Sequence, residues 1–257
     1  MQTLGILGVG HLAEFIVTGL RNGGDRRPIV VSPRNAMRSA DLAVRFGVQI
    51  GACNQAVVDK ADIVIVATPP AACLAAASGV SWRAGQILLS MVAGITLAQL
   101  RAAAPAATVV RAIPTPSSSI GVDTICILPA TDAVSRLLAP LGTVYTTDDE
   151  ARFATLATVG LLQLWAYGLF SEMAEAAFAA GLDRETAASI VASHMRSAAD
   201  YVHSHGPTNE ARATLEREAR PGTLTRAGLD VLEAQRAFPV WRDAFFKTLP
   251  ISHGHAR

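Results

Sequence analysis

The chain has 257 residues, enough for one large domain or two modest ones. Apolar residues make up 51% and charged residues 17%, so the composition supports a sizeable core, and a net charge of +1 gives no sign of a nucleic-acid or polyanionic partner. Cys53, Cys73 and Cys126 lie far apart, with neither a CxxC pair nor metal-ligand spacing. That argues against a disulfide framework, fits a reducing cytoplasm and leaves all three expected as small buried apolar residues. The N-terminal apolar run has no basic residues ahead of it, so no signal peptide is expected.

In chain order, Leu4–Gly8 is a short apolar run ending in glycine and reads as a buried parallel strand. Leu12, Ile16 and Leu20 then share one face of a helix. A second strand follows at Ile29–Val31, a helix at Ala36–Phe46 ending on Gly47, a short strand at Val48–Ile50 and a short helix at Asn54–Lys60. Ile63–Ala67 is a β-branched strand halted by Pro69-Pro70. Ile87–Met91 and Val109–Ile113 are strands flanking a helix near Thr96–Ala103. Thr124–Leu128 and Thr143–Tyr145 are the last strands, separated by a helix around Asp132–Leu138. Strands alternating with helices over short connections predict a parallel, doubly wound α/β sheet.

Strand signals stop at Glu150, and Ala-rich helical segments follow at Arg152–Ala180, Arg184–Ser204, Asn209–Arg217, Thr225–Gln235 and Phe238–Thr248. The composition shift at 148–152 divides the chain into residues 1–150 and 151–257. The uncharged stretch Ala154–Phe170 contains Thr155, Thr158, Gly160 and Gln163. It falls short of the roughly 20 apolar residues of a membrane span and is expected to be a buried helix at a subunit interface. The histidines of the tail 252–257 are expected to be solvated.

The sharpest motif is Gly8-Val-Gly10-His11-Leu12-Ala13, between a strand and a helix. The first glycine suits a tight turn, the second lets backbone N–H groups approach a pyrophosphate, and the small last residue lets helix and strand pack. The helix N-terminus favours an anion. An NAD site has an acid at the end of the second strand, whereas this chain reads Val31-Ser32-Pro33-Arg34-Asn-Ala-Met-Arg38. A hydroxyl and two guanidinium groups suit a 2′-phosphate, so NADP(H) is the expected cofactor, the alternative being that Arg34 and Arg38 form a solvated helix face.

Several stretches resemble the pyrroline-5-carboxylate reductase family. Ala61–Pro70 is similar to its AVKP strand, Ser90–Leu97 to S-x-AAGITL, Val109–Pro114 to VVRxMP, Gly181–Ala187 to GLPRETA, and Pro221–Thr225 to PGGTT. The resemblance is collinear over nearly the whole chain. It implies a Rossmann-type nucleotide domain, a helical domain forming an interlocked homodimer, and reduction of a cyclic imine by NADPH in the cytoplasm. It places Gly8, Gly10, His11, Leu12, Ser32, Arg34, Arg38, Ala67, Thr68, Pro69, Ala93 and Thr115 at the cofactor. Gly222, Thr223, Leu224 and Gly160 fall at the substrate, and Thr225 near the imine nitrogen as proton relay. No metal is implied.

The departures cluster at the substrate motifs. Pro69 replaces a lysine and Thr115 an asparagine. Val159–Trp165 replaces SGSGPAY, keeping only Gly160, and Thr223 and Leu224 replace Gly-Thr of PGGTT. A pocket with Leu161 and Leu162 in place of Ser-Gly is expected to take a bulkier or less polar imine. Thr225 has an alternative use as a helix cap. Arg220, where the family has Ser or Thr, is a second candidate to face substrate. Glu172, Glu175 and His194 read as helix-surface residues, and Asp200, His203 and His205 as a weak metal constellation. Two further readings stay open: a non-catalytic NADP-binding paralogue, and another two-domain dehydrogenase of a hydroxy or keto acid. The latter class usually carries a lysine on the helix after the nucleotide domain, and 152–180 has none.

Overall fold

The computed structural model describes residues 2–205 and 209–252, so the histidines expected to be solvated at 253 and 255 lie outside it. The chain forms two compact units, one of residues up to Gly160 together with those from Thr248 onward, the other of Leu161–Lys247.

The first unit is an eight-stranded sheet. Its strands are β1 (Leu4–Leu7), β2 (Ile29–Val31), β3 (Gln49–Ile50), β4 (Ile63–Val66), β5 (Ile87–Ser90), β6 (Thr108–Ile113), β7 (Asp123–Leu128) and β8 (Gly142–Thr146). Their spatial order is β3-β2-β1-β4-β5-β6-β7-β8. The helices between them are α1 (His11–Asn22), α2 (Ala36–Phe46), α3 (Asn54–Lys60), α4 (Pro70–Ser78), α5 (Leu97–Ala103) and α6 (Asp132–Leu138).

β1, β4 and β5 are buried along their whole length, as a sheet covered on both faces requires. Alternate residues feed two cores. Leu4, Ile6, Ile63 and Ile65 pack with Ile16 and Leu20 of α1, and Val64, Val66 and Leu88 pack with Leu100 and Phe153 on the other face.

The expected doubly wound sheet is present and mostly parallel, with one reversal. β7 runs antiparallel to β6, and β8 parallel to β7. The link from β6 to β7 holds only a 3-10 turn, Pro116–Ile120, too short for the crossover of a dozen or more residues that a parallel neighbour needs. The sequence reading also missed α4, taking Pro69-Pro70 for a stop. Pro70 instead occupies the first helical position, where its missing N–H breaks no hydrogen bond.

The remaining helices are α7 (Glu150–Ala179), α8 (Arg184–His205), α9 (Asn209–Glu218), α10 (Leu224–Ala234) and α11 (Ala237–Ser252). α7 begins in the first unit, where Phe153, Ala154 and Thr158 are buried, and continues into the second. Within the second unit α7 meets α11 through Trp165 and Trp241, edge to face at 6.4 Å. Among the described residues of this unit only Ala187, Ala219 and Leu229 are buried, while Leu162, Tyr167, Met173, Phe178, Ile190, Val240 and Phe246 are exposed in the single chain. The part of the stretch 154–170 that lies in this unit is therefore apolar but has no fully buried residue in the single chain. By length and composition alone α7 could also cross a membrane, so the sequence argument from 154–170 does not exclude a span.

Candidate functional site

The glycine loop lies at the carboxyl ends of β1 and β4. Gly8 has φ of +97°, and a Cβ there would stand 2.8 Å from the Ala67 carbonyl and from Cγ2 of Thr68. Only glycine fits that backbone and that approach. Gly10 precedes α1 without a side-chain cap, and a Cβ on it would meet nothing within 4 Å. The first hydrogen bond of α1 runs from the Glu14 N–H to the Gly10 carbonyl. The N–H groups of His11 and Leu12 are thus orphan donors of a helix N-terminus beside that open space, while Ala13 is fully buried under them. Beside them the Thr68 hydroxyl is buried with no hydrogen-bond partner among the described residues. Open room above Gly10, uncapped donors and an orphaned hydroxyl fit a dinucleotide pyrophosphate.

At the end of β2 the three expected phosphate contacts separate. Ser32 is buried, and its Oγ accepts from the Gly8 N–H at 3.1 Å, so it braces the loop from beneath. Asn35 caps α2 by accepting from the Arg38 N–H, and its Nδ2 donates to the Val9 carbonyl at 3.0 Å. Arg34 is exposed, with no ion pair or hydrogen bond among the described residues. Arg38 instead donates to His11 Nε2 at 2.9 Å and to Glu14 at 3.4 Å. Pro69 leads into α4, and Ala93 is exposed just after β5, both on the same edge of the sheet.

Thr115 is buried and turned inward. Its N–H and its hydroxyl both donate to Asp123, at 2.6 and 2.7 Å, and Asp123 also accepts from the Ser118 hydroxyl and the Thr124 N–H. As placed, Thr115 holds the turn after β6 rather than offering a free group to a cofactor. The sequence reading missed Asp123. Its signal was an acid opening an apolar strand just after the hydroxyl-rich run Thr115-Pro-Ser-Ser-Ser119.

Arg111, within the stretch Val109–Pro114, is a deeply buried cation on β6, 2% exposed. It donates to Glu150 at 2.9 Å and lies 4.5 Å from the centre of the Phe153 ring. Glu150 also accepts from the Leu97 N–H at the start of α5. Burial lowers the Arg111 pKa and Glu150 opposes that shift.

Burial raises the pKa of the Cys73 thiol and takes that of Cys126 up to about 11. Cys53, contrary to expectation, is exposed.

In the helical unit Gly222 has φ of +83° and makes the turn before α10. Thr223 is the N-cap: its Oγ accepts from the Arg226 N–H at 3.1 Å and donates to the Arg220 carbonyl at 2.8 Å. The capping role weighed for Thr225 therefore belongs to Thr223. Thr225 sits one residue inside α10, exposed, its hydroxyl without a partner among the described residues. Leu224 beside it is 93% exposed, and Arg220 is exposed without an ion pair among the described residues. Gly160 lies mid-helix in α7, and a Cβ on it would meet nothing within 4 Å. His205 bonds to the Tyr201 carbonyl and stacks on its ring.

Residues 3–94 match the family model of NADP oxidoreductase, coenzyme F420-dependent, and residues 154–251 that of pyrroline-5-carboxylate reductase dimerisation. The chain is 29% identical to pyrroline-5-carboxylate reductase of Mycobacterium tuberculosis over 77% of its own length and 73% of that protein. It is 27% identical to pyrroline-5-carboxylate reductase 1 of Bacillus spizizenii over 90% of its length and 82% of the relative. Its fold is similar to that of Plasmodium falciparum pyrroline carboxylate reductase with NADP bound, at a TM-score of 0.87 and 15% identity over 98% of each chain.

Proposed function

The chain belongs to the pyrroline-5-carboxylate reductase family, and from that premise we propose that it reduces a cyclic imine, pyrroline-5-carboxylate or a related ring, at the expense of NADPH. The observation that carries the reading is the left-handed glycine loop opening on uncapped α1, with Arg34 unpaired among the described residues and no acid at the end of β2.

NADPH, when bound, supplies the hydride. The protein's own part is positioning. The N–H groups of His11 and Leu12 hold the pyrophosphate, aided by the Thr68 hydroxyl, and Arg34 meets the 2′-phosphate. Ser32 and Asn35 keep the loop in shape from beneath. On α10 the N–H groups of Leu224 and Thr225 are uncapped and suit a carboxylate. The Thr225 hydroxyl, without another partner among the described residues, donates toward the imine nitrogen and relays a proton from water. A substrate already protonated as an iminium needs no stronger acid.

The substrate walls differ from the family pattern. Thr223 uses its hydroxyl to close the turn, Leu224 is almost fully exposed, and Leu161 and Leu162 stand where the pattern has Ser-Gly. These residues support a bulkier or less polar imine as the preferred substrate. The match to a dimerisation domain, and the apolar side chains that the single chain leaves uncovered, support a homodimer. The same partner covers the apolar length of α7 without a membrane, in keeping with a cytoplasmic enzyme.

The test is steady-state oxidation of NADPH by the purified protein with pyrroline-5-carboxylate and a panel of larger cyclic imines. Turnover of a panel member at the higher kcat/KM supports the altered pocket, and preferred turnover of pyrroline-5-carboxylate overturns that part alone. Tight NADPH binding without turnover on any imine overturns the activity and favours the non-catalytic reading.

A further inference from the structure

Two arginines lie beyond the end of β2, and the structure uses them differently. Arg34 has no partner among the described residues. Arg38 is part of a closed set of charges: it donates to His11 and Glu14 of α1, Glu14 also accepts from Arg45 at 2.8 Å, and Arg45 donates to Asp41 at 2.9 Å. Two cations and two anions in this set neutralise each other, with the imidazole as a further acceptor. The set spans α2 and the first turn of α1.

Resting on the NADP reading above, we infer that the arginines divide the work. Arg34 alone distinguishes NADPH from NADH, and Arg38 is a positioning residue that serves both coenzymes equally. A 2′-phosphate is recognised by a guanidinium with donors to spare, and Arg34 has all of its own. Arg38 has committed donors to α1 and has a carboxylate beside it, which cancels much of its field at a further anion. What Arg38 does touch is the turn that carries the N–H groups of His11 and Leu12. His11 is the first residue of that turn and Glu14 the last. Holding their side chains against α2 fixes the direction of those donors, and the pyrophosphate they meet is common to NADPH and NADH.

The experiment is fluorescence titration of the full-length protein with NADPH and with NADH at one ionic strength, for the wild type, Arg34→Ala, Arg38→Ala, His11→Asn and the His11→Asn/Arg38→Ala pair. Arg34→Ala should raise the NADPH Kd by about 10- to 100-fold, the range for loss of a charged hydrogen bond, and leave NADH within about twofold. Arg38→Ala should raise both Kd values by one common factor of about three to ten, leaving their ratio unchanged. The double variant should be no weaker than Arg38→Ala, because the two side chains act as one brace. Arg38→Lys, which keeps the charge and loses the planar fork, should also leave the ratio unchanged and guards against a folding defect in the alanine variant. A ratio that falls in Arg38→Ala as far as in Arg34→Ala overturns the division of labour, as does an Arg38→Ala protein that binds both coenzymes like the wild type. A wild type that binds NADH as tightly as NADPH overturns the coenzyme assignment itself, and is seen before any variant is made.

Discussion

Removing the carboxylate of Glu150 tests how the first turn of α7 is fastened to the sheet. Arg111 is almost wholly buried on β6, and among the described residues its Nε has no hydrogen-bond partner and its one carboxylate contact is Glu150 at 2.9 Å. Breaking a fully buried pair typically costs about 3–5 kcal/mol, because a buried charge is left uncompensated. The Glu150 side chain is 41% exposed, so water can partly replace it and the figure must be reduced. The Leu97 N–H loses its acceptor in the same stroke, adding about 1 kcal/mol. Glu150→Ala should therefore lose about 2–3 kcal/mol in urea unfolding of the first unit, or some 4–10 °C in its Tm. The companion is Glu150→Ala with Arg111→Met, which removes the stranded cation as well. It should recover at least half the loss, since an apolar side chain suits the space beside Phe153. A single variant within about 0.5 kcal/mol of wild type, or a double variant less stable than the single, refutes the reasoning.

Gly8→Ala should abolish measurable NADPH binding and lower the Tm, because its Cβ would press on the Ala67 carbonyl at 2.8 Å from a left-handed backbone. Calorimetric titration alongside a thermal melt checks both effects. Thr223→Ala and Thr225→Val should separate stability from chemistry: the first should lose about 1 kcal/mol of stability as a lost N-cap, and the second should lower kcat with the melt unchanged. In native protein at pH 8 a thiol reagent should modify Cys53 quickly. Cys126, a thiol up at about 11, and buried Cys73 should react only at the rate of unfolding. The sign follows from burial: raising the thiol pKa keeps the unreactive protonated form through neutral pH.

The nucleotide half was legible because its signals are local. Gly8-Val-Gly10 between an apolar run and an amphipathic helix needs no distant contact to be read, and Asn54–Lys60 and Asp132–Leu138 are found as expected. What was hidden depends on distance in sequence. The hydroxyl-rich run and the acid after it are visible in the chain, but not that the Thr115 hydroxyl turns to Asp123, eight residues away across a strand reversal. Arg38 looked like a free phosphate ligand until its partners, His11 and Glu14, were placed beside it from another helix. Thr225 and Thr223 are equally good caps by type, and only the turn at Gly222 decides between them. The reversal of β7 follows from a loop length visible in the sequence, but the strand alternation around it masked the point.

The sparsely buried second unit also changes what a melting temperature means for this protein. A set of helices with three buried apolar residues among those described, and a surface of Leu, Phe, Met and Tyr, takes its folding free energy from whatever covers that surface. When the cover is another copy of the chain, the stability of the helical half rises with the logarithm of concentration, while that of the sheet half stays fixed. Dilution would then pull apart two transitions that coincide in concentrated solution. Expression level would govern survival in the cell as strongly as any single side chain.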